Sequence, residues 1–125
     1  MTLRMQCLVV DCVDPGVVAG FWEAALGWRR TYETAEQIVL EPPAGSAEDG
    51  VAPDLLFVPV SDPTPGKNRL HLDLRPEDQD SEVRRLLALG AERASVGQDP
   101  DVSWVVLADP EGNEFCVLRA LGDAG

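Results

Sequence analysis

The stretch Asn68 to Leu74 reads NRLHLDL and carries the residues best suited to chemistry in this chain. It alternates strictly: Leu70, Leu72 and Leu74 fall on one side, and Arg69, His71 and Asp73 on the other. Such a period of two predicts a strand with one face in a core and one face turned to polar surroundings. His71 is the single histidine of the sequence. Flanked by an arginine and a carboxylate, it could act as an acid, a base or a hydrogen-bonding contact to a ligand, or it could be a structural hydrogen-bonded residue. The residues by themselves leave both roles open.

The elements that must position this strand read as a repeated order. Met5 to Cys12 predicts a first strand. Asp14-Pro15 predicts a helix cap followed by proline in the first turn. Val18, Phe21 and Ala25 recur at helical spacing, with Trp22 as a core residue beside Phe21, and Gly27 ends the helix. Trp28–Tyr32 and Gln37–Glu41 predict two short strands. The run 42–53 reads as a surface loop, and Asp54–Val60 as a fourth strand. After a connector rich in Pro and Gly, the order starts again at Asn68. A helix beginning at Asp78 or Asp80 carries Val83, Leu86 and Leu87 and stops at Gly90. Strands follow over Ala91–Ser95, Val102–Ala108 and Glu114–Arg119, with Asp109-Pro110-Glu111-Gly112-Asn113 as a tight turn before the last. The two glycine stops are 63 residues apart.

The chain therefore reads as α+β, two βαβββ modules in tandem, with module one at 1–62, module two at 67–121 and a tail at 122–125. One helix covers one face of each sheet. The remaining faces are expected to form a curved mixed-sheet cup around a cavity, with Arg69, His71 and Asp73 inside it. Trp104, on the strand before the tight turn, is expected to be a cavity wall or stacking platform.

Composition bounds the function. The 125 residues carry a formal charge of -12, with 45% hydrophobic and 26% charged residues. Such a balance disfavours nucleic acid and anionic membrane surfaces and favours a cationic small molecule. No apolar run approaches the roughly 20 residues of a membrane span. The three cysteines, Cys7, Cys12 and Cys116, form no CxxC pair and predict reduced thiols in a cytoplasmic protein. Glycine-rich phosphate loops, GxSxG and HExxH are absent from the sequence, so nucleotide hydrolysis and serine or zinc-protease chemistry have no support.

With Asp14, Phe21-Trp22 and Leu26-Gly27 in the first module and Asp109 to Asn113 in the second, the sequence resembles the vicinal oxygen chelate superfamily. That group holds glyoxalase I, bleomycin-resistance proteins and extradiol dioxygenases. The nearest flavour is the glyoxalase-like domain group common in actinobacteria. The resemblance implies the glyoxalase/bleomycin-resistance fold and a homodimer. It also implies, in metal-dependent members, one cavity-facing ligand on each of the first, fourth, fifth and eighth strands. Carried onto this chain, those positions hold Cys7, Phe57, His71 and Cys116, with Glu114 two residues ahead of Cys116 on the same face. In this placement Leu8 and Val10, Leu56 and Val58, and Phe115 and Val117 take the side facing the helices. Phe57 cannot coordinate a metal. Cys7, His71, Glu114 and Cys116 are the candidates for a zinc-type ion if one is held.

The leading expectation is thus a bleomycin-resistance-type protein that binds a small molecule without metal, in a pocket lined by Cys7, Phe57, Arg69, His71, Asp73, Trp104, Glu114 and Cys116. The alternatives are a metal-dependent lyase, isomerase or dioxygenase of the same superfamily, and a metal-free enzyme with His71 as catalytic base and Arg69 as oxyanion partner.

Overall fold

The computed structural model describes residues 3–122. The tail expected at 122–125 falls almost entirely outside them. The chain divides into two compact units, Met1–Thr64 and Pro65–Gly125.

In the first unit, β1 (Cys7–Cys12), α1 (Pro15–Leu26), β2 (Arg29–Glu33), β3 (Ile38–Glu41) and β4 (Asp54–Pro59) follow one another. The sheet order is β1-β4-β3-β2, with β1 parallel to β4 and the other pairs antiparallel. The second unit repeats the plan with β5 (Leu72–Leu74), α2 (Gln79–Leu89), β6 (Glu92–Arg93), β7 (Val105–Ala108) and β8 (Glu114–Val117), in sheet order β5-β8-β7-β6.

Local chemistry sets both helices. Asp14 caps α1 by accepting from the Val17 amide at 3.3 Å, Pro15 opens the first turn, and Gly27 closes it at φ 69°. Asp78, not Asp80, caps α2, accepting from the Ser81 amide at 3.1 Å, and Gly90 closes that helix at φ 119°. Only glycine takes this left-handed geometry at no steric cost. α1 buries Val18, Ala19, Phe21 and Trp22, the last two meeting edge to face at 5.1 Å. Ile38, Leu40, Leu55 and Phe57 are buried at every second position of β3 and β4, and Cys12 is buried at the end of β1. In the second unit Val83 and Leu86 of α2 join Leu107, Phe115 and Val117 in the core.

Three expectations about the strands are corrected. The strand read from Asn68 shrinks to Leu72–Leu74, and Leu70 is 84% exposed rather than in the core. The pairing explains this. β5 lies parallel to β8 from Leu72↔Phe115 onward, and β8 begins at Glu114 just after a tight turn. Residues ahead of His71 therefore have no partner backbone, and an unpaired strand end does not persist. Likewise β6 has only two residues, pairing with Ala108 and Leu107. Trp104 is left in the bend ahead of β7 instead of within it.

The third correction concerns faces. Parallel partners in register share a side of the sheet, and β1 pairs Leu8↔Leu55 and Val10↔Phe57. Phe57 is fully buried at 0% exposure in the helix-covered core, together with Leu55. Leu56 and Val58, expected on the helix side, instead share the opposite face with Cys7 and Val9. The pleat has a period of two, so one wrong residue in register inverts the whole strand.

Candidate functional site

The second unit gathers most of the predicted site residues on one sheet. Register places Asp73 opposite Cys116 and Cys116 opposite Val106, all on the face away from Phe115 and Val117. His71 sits one step ahead of β5 and folds back along it, with Nε2 3.1 Å from Asp73 Oδ1. The thiol of Cys116, a residue only 5% exposed, is hydrogen-bonded to the same carboxylate. Asp73 thus lies against both an imidazole and a thiol.

That geometry acts on Cys116. Burial pushes its thiol pKa above the ordinary value of 9.0, and the negative charge and hydrogen bond of Asp73 push it further the same way. At neutral pH the thiol is a protonated donor, not a thiolate nucleophile.

The tight turn before β8 positions Glu114. Asp109 is buried, and its Oδ1 accepts from the amides of Glu111 at 2.9 Å and Asn113 at 3.0 Å, while Oδ2 accepts from Asn113 Nδ2 at 3.0 Å. Gly112 supplies the left-handed step at φ 88°. Glu114 then follows directly, half-buried, and its Oε2 accepts from the Asn68 amide at 3.2 Å. This bond ties down the bend that carries Arg69, which is exposed.

The remaining site predictions separate. Trp104 is 38% exposed and lines a recess of about 390 Å³ with Arg93, Gln98, Asp99, Val102 and Val106. Cys7 is half-buried in the first unit, sharing its face with Asp54. Phe57 lies in the core, and no polar group of a ligand can be served there.

Reasoning on the sequence missed two groups. One is Arg93 with Gln98 on the rim of the recess, for which no motif signals. The other is a charged row in the first unit, where Arg29 pairs with Asp49 at 3.3 Å and Glu41 at 3.9 Å beside Asp54. The alternation of β3 and β4 could have signalled it, once their register was known.

A metal implied by the resemblance can be tested against these residues. The four-strand set fails on β4, where Phe57 lies in the core and Leu56 and Val58, on the face of Cys7, carry no donor atom. A smaller set within the second unit fits in number and spacing: one ligand atom each from His71, Asp73 and Cys116, all within 4.8 Å of one another. Nitrogen, oxygen and sulfur donors with a free fourth position suit a zinc-type ion.

Two βαβββ units, each a four-stranded mixed sheet with one helix, define the glyoxalase/bleomycin-resistance fold. The model of the family described as "Glyoxalase-like domain" matches residues 7–118, and the chain belongs to that family. Among solved structures, a glyoxalase/bleomycin resistance protein/dioxygenase family enzyme from Burkholderia phytofirmans superposes with a TM-score of 0.66 at 17% identity, covering 93% of this chain and 98% of that one. A genomically encoded fosfomycin resistance protein from Listeria monocytogenes, complexed with Mn(II) and a dihydroxypropylphosphonic acid, gives 0.71 at 12% identity over 98% of this chain and 94% of that one. An antibiotic-binding protein from a Streptomyces species gives 0.65 at 18% identity over 96% and 98%. A search of curated proteins finds no match to the sequence. No helix among the described residues is long and apolar enough to cross a membrane.

Proposed function

We propose that this chain binds a small organic molecule on the polar face of its second unit, without a resident metal and without turnover. Asp73 is the observation that carries this reading. Its carboxylate lies 3.1 Å from His71 Nε2 and, together with burial, raises the pKa of the neighbouring Cys116 thiol, which opposes the thiolate that a metal ligand requires. On β4 the face shared with Cys7 carries Leu56 and Val58, which offer no donor to a metal, while Phe57 is in the core. His71 and Asp73 keep about half of their side-chain surface open, at 43% and 52%, and can hydrogen-bond a ligand. Asp73 and Glu114, in a chain of net charge -12, favour a basic group on that ligand. The likeness to an antibiotic-binding protein supports a binding role through the fold alone. A cytoplasmic homodimer is part of the same reading.

The test is native mass spectrometry on tag-free protein, with elemental analysis of the same sample. The expected result is a retained organic mass and metal well below one equivalent, with retention weakened about tenfold in His71→Ala. Stoichiometric metal, lost in both His71→Ala and Cys116→Ser, would overturn it.

The spacing of the His71, Asp73 and Cys116 donor atoms favours one second reading, in which the three hold a zinc-type ion. Bound there, the ion would supply Lewis-acid polarisation of a ligand oxygen. The chain's own part would be to present the three donors and to keep Cys116 buried. Zinc-dependent rise of the melting temperature, abolished by Cys116→Ser, is the measurement that selects this reading.

A further inference from the structure

The recess beside Trp104 combines an apolar lining with the donor-bearing side chains of Arg93, Gln98 and Trp104. Its volume of about 390 Å³ lies in the range of small-molecule sites. Ala94, Pro100, Val102, Val105 and Val106 give it an apolar lining, and the indole of Trp104 is left partly open to solvent.

The polar groups on its rim are unevenly matched. Gln98 spends its carbonyl oxygen on the Val96 amide at 2.8 Å and on the Ser95 hydroxyl at 3.4 Å. Its NH₂ group has no acceptor among the described residues. The same holds for the Trp104 indole N–H and for the guanidinium of Arg93. Arg93 is exposed and, like Arg69 and Arg84, has no carboxylate partner among the described residues. The one carboxylate of the lining, Asp99, uses Oδ1 to accept from the Asp101 amide at 3.0 Å. Three side chains that carry N–H donors therefore line a hollow with one carboxylate.

We infer that this recess is a subsite for a flat aromatic carboxylate, its ring against Trp104 and its carboxylate on Arg93. A carboxylate only accepts, and its two oxygens match the planar fork of a guanidinium. A conjugated ring fits the valine-lined wall and stacks on an indole face. Asp99 disfavours a more highly charged anion such as phosphate, since like charges would meet across the recess. The inference rests on the small-molecule reading and deepens it. The recess shares no lining residue with the cluster of His71, Asp73 and Cys116.

The probe is 2-naphthoate, titrated into the full chain and followed by ¹H–¹⁵N NMR, with 2-naphthamide and 2-naphthylmethylamine as matched neutral and cationic rings. The Trp104 indole signal is assigned by its loss in Trp104→Phe. The expected result is a saturable shift of that signal with naphthoate and tighter binding than either control. Arg93→Ala should weaken it by about tenfold, the usual worth of a hydrogen bond to a charged group, and Arg93→Lys should restore part of it. Arg93 is exposed, so a melting temperature equal to the parent's confirms that the variant folds.

Absence of a saturable shift, an affinity unchanged in Arg93→Ala, or preference for the amine would each overturn the subsite. If the subsite fails while a native ligand is still retained through His71, the binding function stands and only the aromatic carboxylate falls. If naphthoate binds through Arg93 while the protein carries stoichiometric metal, the subsite stands and the metal-free reading falls.

Discussion

Asp54 ionises against its surroundings. Burial raises its pKa above the ordinary 3.8, and the neighbouring charges of Glu41 and Asp49 add to the rise, with Arg29 opposing it. The folded chain therefore holds this proton more tightly than the unfolded chain does. Below the unfolded pKa both states are protonated, and the contribution is fully present. It is lost as pH rises through the folded value, so at neutral pH the ionised carboxylate subtracts from stability. Asp54→Asn is expected to melt higher than the parent at pH 7, with the difference shrinking toward zero at about pH 3, below the carboxylate range. Thermal melts of both proteins across that span check it. A difference that stays constant with pH would show that the amide acts through packing alone. The same scale explains the candidate site. That His71 and Asp73 would share a face is read from alternation, but that Cys116 would bond to Asp73 is set by the pairing of β5 with β8.

Among the elements, β4 shows most clearly how register decides role. Phe57 and Leu56 are adjacent and both apolar, yet Phe57 is fully buried beside Val10 and Leu55 while Leu56 is half-buried on the side of Cys7. Phe57→Ala is expected to cost about 3–5 kcal/mol, the range for an aromatic removed from a packed core. Leu56→Ala should cost much less in stability. Urea unfolding of the two variants decides the assignment, and equal losses would place both side chains in one core. Helix ends were legible because their causes are local. Asp14, Pro15, Gly27, Asp78 and Gly90 each act within one turn of their own position. Strand ends were not legible, since a strand lasts only as long as its neighbour. Leu70 keeps the alternation of Leu72 and Leu74 but lies beyond the start of β8.

For the molecule as a whole, charge dominates solution behaviour. A net charge of -12 and an isoelectric point near 4.2 predict high solubility at neutral pH and a minimum close to pH 4.2, where mutual repulsion vanishes. Light scattering across a pH series checks this, and a minimum displaced well above that value would mean that specific association outweighs net charge.

The sequence by itself determined the βαβββ repeat, the α1 cap and both glycine stops, the tight turn before β8 and the family, because each rests on neighbours a few residues apart or on period and spacing. Only the tertiary structure decided which face Phe57 takes, where β5 begins, and that His71, Asp73 and Cys116 converge. It also brought Arg93, Gln98 and Trp104 around one recess. These depend on register between strands distant in sequence, and register follows from how backbone hydrogen bonds pair across a sheet, which no local pattern encodes.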